Sequence, residues 1–295
     1  MNHLSSKLKQ QFKTGGVLTQ LIFINVGVFL FTSILTVMLR LFNFDADTLL
    51  QYLYLPSNVW LLLQRPWTII TYMFCHSGIL HLLFNMLWLF WFGSIFKMQF
   101  NQRTLGGLYF LGGIFGAFIF VLSYNLFPYF AEHSLNSSLV GASASVLAIV
   151  VATAMRLPNV ELNFMFIGSV KLKYVAIAIV LLDLVSVTSD NAGGHLAHLG
   201  GALAGYLFSI NWKSGKDITS IINRFIDKIV NLFKSKPKMR VHVNQSRRAE
   251  TDMEYRKRKA QEEQSINAIL EKIKQSGYES LSKDEKKSLF DASRK

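Results

Sequence analysis

The chain has 295 residues, of which 51% are hydrophobic and only 17% are charged, and its formal net charge is +13. A soluble domain of this size would carry charge on about a quarter of its residues, so the composition argues against a soluble protein and favours a membrane protein. The single cysteine, Cys75, excludes an intrachain disulfide framework and a thiolate metal cluster, and we expect it to be a small buried apolar residue.

Six apolar segments predict membrane-spanning helices, which gives the fold class of an all-α polytopic membrane protein. About 20 apolar residues cross the hydrocarbon core of a bilayer, and the first and third segments exceed that length without a charged side chain. The fourth and sixth segments open with small and polar residues, which are typical of close helix contacts or a polar cavity. The segments run roughly over 17–39, 79–96, 104–127, 140–155, 172–189 and 194–211.

The distribution of lysine and arginine predicts the orientation of these segments. The N-terminal segment, the second-to-third connection, the fourth-to-fifth connection and the tail are basic. Because basic connections stay in the cytoplasm, we place both termini there and start the second, fourth and sixth spans at the outer face. The long amphipathic connection at 41–78 is expected in the outer interface, with Trp60 and Trp67 at headgroup level.

Polar side chains stand about one turn below the outer face in three of these spans. They are His81 and Asn85 in the second span, Ser143 in the fourth and His198 in the sixth. Ionisable residues inside a membrane are costly and are therefore candidates for function. The sequence thus predicts a site where these three spans meet.

The residue types predict acyl-transfer chemistry at this site. Serine needs a base within hydrogen-bond reach, which His198 supplies to Ser143 if the fourth and sixth spans touch. Small residues at Gly141, Gly201 and Gly205 allow the two helices to approach closely. Donors for the developing oxyanion would come from the side chains of His81 and Asn85 and from the backbone N–H of Ser143.

Three motifs now resemble those of the rhomboid intramembrane serine proteases. They are "HSGILHLLFN" from position 76, "GASAS" from position 141 and "HLGGALAG" from position 198, and the resemblance covers roughly Val17 to Ile210. It implies a six-helix rhomboid-like bundle and a Ser–His dyad without an acid, with Ser143 as nucleophile and His198 as base. It also implies His81 and Asn85 at the oxyanion hole, with His76 beside it, and it matches the family's first-loop arginine to Arg65.

The sequence departs from the family pattern at three positions. Ala144 replaces a frequent glycine after the nucleophile, and Lys97 occupies a position that is often acidic. Leu147 stands where an aromatic ring commonly stacks on the catalytic histidine, so the His198 imidazole would be held less tightly. None of these changes removes a reacting group, and we expect an active enzyme.

Two choices remain open from the residues alone. Ser143 and Ser145 face different sides of a helix, so only one of them can face His198. His195 lies one turn from His198 on the same face, and we expect it at the water interface. Asp183 invites a Ser–His–Asp reading, but no motif ties it to His198, and a helix–helix hydrogen bond is the favoured role.

The tail after Trp212 predicts peripheral elements rather than further spans. Apolar residues at helical spacing between lysines and arginines predict an amphipathic helix on the cytoplasmic membrane surface, starting near Asp217. A charged linker and a small helical hairpin broken at Ser276 and Gly277 would follow. The predicted organisation is a cytoplasmic segment at 1–16, the protease core at 17–212, the helix and linker at 213–265 and the hairpin at 266–295.

The predicted function is an intramembrane serine endopeptidase that cuts transmembrane segments of other membrane proteins near their outer end. The alternatives are a non-catalytic relative that binds such segments, and a transporter. We expect the bilayer and membrane proteins as partners, no metal or cofactor, and no nucleic acid, because the basic tail mixes charges of both signs. The predicted location is a bacterial cytoplasmic (inner) membrane, with the active site toward the outer face.

Overall fold

The structure is a computed structural model that describes residues 2–133, 137–164, 168–233 and 251–293. The chain divides into two compact units, Met1–Lys234 and Ser235–Lys295. Each unit is described by itself below.

The first unit is a helical bundle with two short antiparallel pairs of strands. Its strands are β1 (Leu55–Pro56) with β2 (Ser138–Leu139), and β3 (Glu161–Phe164) with β4 (Gly168–Lys171). Its helices are α1 (Asn2–Thr14), α2 (Gly16–Leu41), α3 (Ala46–Leu50), α4 (Val59–Gln64), α5 (Thr68–Thr71), α6 (Ile79–Phe96), α7 (Gln102–Leu126), α8 (Ser143–Arg156), α9 (Leu172–Val185), α10 (Ala192–Lys213) and α11 (Thr219–Phe233).

The predicted apolar segments correspond, in order, to α2, α6, α7, α8, α9 and α10. Three of these helices, α2, α6 and α7, are long and apolar enough to cross a membrane. The helices α8 and α9 have 14 residues each. The fold class is therefore confirmed as an all-α protein with membrane-length helices, and the number of spans stays a prediction.

Helix α8 is the most enclosed element of the bundle. Most of its residues are buried, and it packs against α6, α7, α9 and α10. A β-carbon at Gly201 would come within 2.1 Å of the Ala144 carbonyl oxygen, and one at Gly205 within 2.4 Å of the Ala148 carbonyl oxygen. The two glycines therefore let the backbones of α10 and α8 touch, one turn apart.

The outward faces of the bundle are apolar. In α2 the side chains of Phe31 and Ile34 are 66% and 63% exposed, and in α9 that of Leu182 is 67% exposed. A contiguous apolar exterior of this kind is what a protein presents to lipid. The burial pattern thus agrees with a membrane protein.

The connection between α2 and α6 is folded rather than extended. It contains α3, β1, α4 and α5, and Asn58 caps α4 by accepting hydrogen bonds from the backbone N–H groups of Trp60 and Leu61. Trp60 is 75% exposed and Trp67 is 49% exposed. Arg65 lies over the Tyr52 ring, 3.9 Å from its centroid. Cys75 is buried, as expected.

Helix α11 packs on α7 through a polar stripe. Thr219 and Asn223 are buried where Gly107 leaves space on α7, and Asp227 pairs with Arg103. The apolar side chains on the other face, Ile221, Phe225, Ile229 and Leu232, are exposed. The predicted amphipathic helix is confirmed as a helix, and its place on the membrane surface remains a prediction.

The second unit contains α12 (Asp252–Ser276) and α13 (Lys283–Ala292). The helix ends at Ser276 before Gly277, which has φ +77, as predicted. Helix α12 begins at Asp252, however, well before the predicted hairpin and inside the segment that the sequence predicts to be a linker. The cause is local, because Thr251 and Glu254 form a capping box that starts the helix in a charged sequence.

Candidate active site

One cavity of about 660 Å³ is lined by four of the predicted site residues. Its lining comes from α6, α7, α8, α9 and α10 and from residues 137–140. Among the lining side chains are Ser143, His198, His81 and Asn85. The residues that the sequence placed at one depth on three helices are thus neighbours around one space.

Ser143 is the first residue of α8, and the segment before it holds it at the cavity. Gly141 N–H donates a hydrogen bond to the Tyr72 carbonyl, which is 3.0 Å away. The first N–H groups of a helix have no acceptor within the helix, so the Ser143 N–H at this end is available to a substrate oxygen. The start of α8 thus gives one residue both a hydroxyl group and an N–H donor at the cavity.

Ser145 occupies a different environment from Ser143. It is 1% exposed, lies against Gly112 of α7, and is not among the residues that line the cavity. Its Oγ has no hydrogen-bond partner in the described part of the chain. The geometry therefore separates the two serines that the sequence left unresolved, with Ser143 on the cavity.

Gly141 brings the His81 ring close to Ser143. A β-carbon at Gly141 would lie 2.9 Å from His81 Nε2 and 3.6 Å from Ser143 Oγ. His81 Nδ1 is 3.0 Å from Ser77 Oγ, which orients the ring. His81 therefore directs Nε2 toward the region beside the serine, as a donor to an oxyanion must.

Asn85 and His76 complete this side of the cavity in different ways. Asn85 is buried and donates one Nδ2 hydrogen to the His81 carbonyl at 2.9 Å, which leaves the second hydrogen for another acceptor. The His76 ring is buried 5.1 Å from the His81 ring, and it is not among the lining residues. Burial, and then the nearby His81, lower the pKa of His76 to about 4, so His76 is neutral at physiological pH.

His198 is hydrogen-bonded to the carboxylate of Asp183. Its Nδ1 lies 2.8 Å from Oδ1 of Asp183 on α9, and Asp183 is 5% exposed. His195 Nδ1 lies 2.7 Å from the same oxygen. The favoured helix–helix hydrogen bond is confirmed, and it reaches His198, to which no sequence motif tied Asp183. His195 belongs to the same cluster.

The two candidate reacting residues line one cavity without being bonded to each other. No hydrogen bond joins Ser143 Oγ to the His198 ring in the described residues. Such bonds are often long in a substrate-free site and shorten when substrate binds. The structure therefore places Ser143 and His198 on the same cavity, without a hydrogen bond between them.

Asp183, His195 and His198 are also a possible metal-ligand group, since their ligand atoms lie within 4.8 Å of one another. Both ring nitrogens, however, lie at hydrogen-bond distance from one carboxylate oxygen. Ligand atoms around a tetrahedral zinc ion lie more than about 3 Å apart. The arrangement fits direct hydrogen bonding better than metal coordination.

Two parts of the chain match models of known protein families. Residues 63–212 match the model of the Rhomboid domain, which is half of the chain, and residues 249–295 match a family of unknown function, DUF6576. The first match contains every candidate site residue described above. The second match covers α12 and α13.

Curated relatives carry related names, and one of them is named as inactive. RHOMBOID-like protein 6, mitochondrial, of Arabidopsis thaliana is 31% identical over 153 residues, which cover 48% of this chain and 42% of that protein. Rhomboid-related protein 1 of Caenorhabditis elegans is 30% identical over 155 residues, covering 49% and 39%. Inactive RHOMBOID-like protein 8 of Arabidopsis thaliana is 32% identical over 91 residues, covering 31% and 24%.

The matches bear on location as well as on family. The matched region spans less than half the length of each of these three relatives. One of them is named as mitochondrial, so the comparisons give no support to the predicted bacterial inner membrane.

Proposed function

Because the chain belongs to the rhomboid family, we propose that it is an intramembrane serine endopeptidase that hydrolyses a peptide bond near the outer end of a transmembrane segment. The observation that carries this proposal is the cavity shared by Ser143, His198, His81 and Asn85. A nucleophile, a base and two candidate oxyanion donors thus surround one space large enough for a short stretch of peptide.

In the proposed reaction, Ser143 Oγ attacks the scissile carbonyl carbon while His198 Nε2 takes the hydroxyl proton. The resulting oxyanion accepts hydrogen bonds from the Ser143 N–H and from the His81 and Asn85 side chains. His198 then returns its proton to the leaving amine nitrogen as the C–N bond breaks. A water molecule, deprotonated by His198, releases the acyl group and restores Ser143.

The proposed arrangement in the membrane has six spans, α2, α6, α7, α8, α9 and α10, with both termini in the cytoplasm. Basic residues in the N-terminal segment, in the connection between the second and third spans and in that between the fourth and fifth spans support this orientation. The site at the start of α8 then opens toward the outer face, and water can enter through the cavity. A substrate helix must partly unwind there, because a helical carbonyl is hydrogen-bonded and shielded.

A second candidate is a non-catalytic protein that binds transmembrane segments. It is favoured by one observation, the similarity to a relative named inactive. The presence of both Ser143 and His198 on the cavity supports the protease instead. A transporter, considered from the sequence, receives no support from the comparisons.

The test is cleavage of a panel of single-span fusion proteins by the purified full chain in liposomes, with the fragment masses measured. The variants are Ser143→Ala, His198→Ala and Ser145→Ala, and a fluorophosphonate probe is applied in parallel to label a reactive serine. We expect cleavage near the outer end of the span, lost in the first two variants and retained in the third.

Two results would contradict the proposal. Cleavage that persists in Ser143→Ala would place the nucleophile elsewhere. Absence of cleavage, together with absence of probe labelling at Ser143 in a correctly folded protein, would favour the non-catalytic binder.

A further inference from the structure

The Asp183 carboxylate lies on the side of the candidate base His198 where the acid of a catalytic triad would be. Asp183 Oδ1 lies 2.8 Å from His198 Nδ1, and His198 in turn lines the cavity that contains Ser143. Since Nδ1 faces the carboxylate, Nε2 is the ring nitrogen left for the serine. The order of groups is carboxylate, imidazole, hydroxyl.

We propose that Asp183 is a positioning residue that holds His198 in the tautomer and orientation required of a general base, so that this rhomboid works with a Ser–His–Asp set. This inference rests on the proposed protease function. It differs from the acid-free dyad that the family resemblance implies.

The hydrogen-bonding capacity of a carboxylate fixes the tautomer. An ionised carboxylate only accepts hydrogen bonds, so Nδ1 of His198 must be the donor to Oδ1. In the neutral ring, Nε2 then carries a lone pair and can accept the Ser143 proton. When that proton arrives, the positive ring faces a negative carboxylate in a poorly solvated region, which stabilises the charged intermediate.

Because Asp183 is buried, its carboxylate depends on this hydrogen bond for stabilisation. The residue is 5% exposed and lies in the apolar part of α9, where an unpaired charge would be costly. The hydrogen-bond partners of its carboxylate in the described residues are the two histidines, and its second oxygen, Oδ2, has no partner there. The carboxylate is therefore committed to the histidine pair.

The sequence departure at Leu147 is consistent with this role. Leu147 lines the cavity and is an aliphatic side chain where an aromatic ring was expected to hold the catalytic imidazole. The rings near His198 include that of His195, with a centroid distance of 6.0 Å and an interplanar angle of 85°. The carboxylate supplies the orientation that stacking would otherwise give.

A variant of His195 can distinguish two roles of Asp183, which are orienting the His198 ring and holding α9 against α10. Both histidines connect α10 to Asp183 on α9, but His195 is not among the cavity-lining residues. Replacing His195 with leucine removes one attachment and leaves the His198 bond in place. The variant is therefore a matched control for loss of helix contact.

The experiment measures the rate of fluorophosphonate labelling of Ser143 in the full chain in liposomes, together with the thermal unfolding temperature. The variants are Asp183→Asn, Asp183→Ala, His195→Leu and Ser143→Ala. An asparagine at 183 can donate its amide hydrogen to Nδ1, which moves the ring hydrogen to Nε2 and removes the base. Alanine removes the carboxylate without imposing that tautomer.

We expect Asp183→Asn to lower the labelling rate of Ser143 by about 10²- to 10⁴-fold and to label no faster than Asp183→Ala. Asparagine disturbs the packing less than alanine does, so the Asp183→Asn protein should nevertheless unfold at the higher temperature. His195→Leu should label within about tenfold of the wild type. If Asp183 only joined two helices, the variant with the higher unfolding temperature, Asp183→Asn, would also label faster than Asp183→Ala.

Different results separate the possible failures. Wild-type labelling at Ser143 combined with near-wild-type labelling of Asp183→Asn would overturn the positioning role and leave the protease intact. Equal losses in Asp183→Asn and His195→Leu, both tracking a lower unfolding temperature, would assign Asp183 to helix attachment. A folded wild type that fails to label at Ser143 would remove the proposed function and this inference with it.

Discussion

A β-carbon at position 141 would lie 2.9 Å from Nε2 of His81, so Gly141 and the His81 ring form one tight contact beside the candidate nucleophile. Gly141 also has φ +127, a backbone conformation that favours glycine. The contact places His81 where the chemistry requires it, and it leaves no space for a side chain.

The Gly141→Ala variant should therefore lose activity at least tenfold, because either the His81 ring or the segment before Ser143 must move. The measurement is the fluorophosphonate labelling rate. Gly168→Ala is the matched control, since Gly168 has φ +83 but a β-carbon there would meet nothing within 4 Å among the residues that the structure describes. Equal losses in the two variants would attribute the effect to backbone strain rather than to the His81 contact.

Removing the Ser145 hydroxyl should be neutral or slightly stabilising. The group is buried, and its oxygen has no hydrogen-bond partner in the part of the chain that the structure describes, so alanine ends a desolvation cost of about 1 kcal/mol or more. We expect Ser145→Ala to keep its cleavage rate and to unfold at the same or a higher temperature. A clear loss of activity at normal stability would mean that Ser145 faces the substrate.

The contact between α10 and α8 should be intolerant of a single methyl group. A β-carbon at Gly201 would meet the Ala144 carbonyl oxygen at 2.1 Å, so the backbones must separate, at a cost of about 1–3 kcal/mol. We expect Gly201→Ala to lower both the unfolding temperature and the labelling rate of Ser143, because the separation also moves His198.

The control for this variant is Gly27→Ala in α2. A β-carbon at Gly27 meets nothing within 4 Å, and alanine is the better helix former by about 1 kcal/mol. This control should be neutral or stabilising. A Gly201→Ala protein that behaves like the control would show that α10 and α8 are less closely packed than described.

The exposed face of α11 should contact lipid. A fluorophore attached to Phe225→Cys, in a Cys75→Ala background, should shift its emission to shorter wavelength when the protein is moved into anionic liposomes, because Phe225 belongs to the apolar face. The same label on Asn231→Cys, an exposed polar position about 120° around that helix from Phe225, should shift less. Equal spectra at the two positions would place α11 in water.

Metal chelation should leave proteolysis unchanged. The Asp183, His195 and His198 atoms are at direct hydrogen-bond distances, and the proposed reaction uses no metal. The measurement is the cleavage rate after dialysis against a chelator, with and without added Zn²⁺. Loss of activity on chelation, restored by Zn²⁺, would reassign this cluster as a metal site.

The helices and the site could be predicted from the sequence because both leave local signals. Long uncharged runs identify α2 and α7, and the polar residues that interrupt apolar runs identify Ser143, His81 and His198. Their convergence followed from counting depth along helices of known rise. These features need no knowledge of side-chain rotamers.

The Asp183–His198 bond could not be derived in the same way. It joins α9 to α10, and its existence depends on how far each helix is rotated about its own axis, which hydrophobic pattern alone does not fix. One signal was available, because a lone carboxylate in an apolar helix needs a partner. The start of α12 was missed for a different reason: a charge-rich segment was read as a linker, and the Thr251–Glu254 cap was overlooked.

The shortness of α9 has a consequence for the surrounding lipid. Fourteen residues rise about 21 Å, whereas the hydrocarbon layer is about 30 Å thick. In the proposed six-span arrangement the exposed apolar side chains Leu181, Leu182 and Leu184 face the acyl chains along this short helix. Thinning of the bilayer is one way to accommodate such a short span, and where the bilayer thins beside α9, a protein segment that diffuses there would meet water sooner than elsewhere in the membrane.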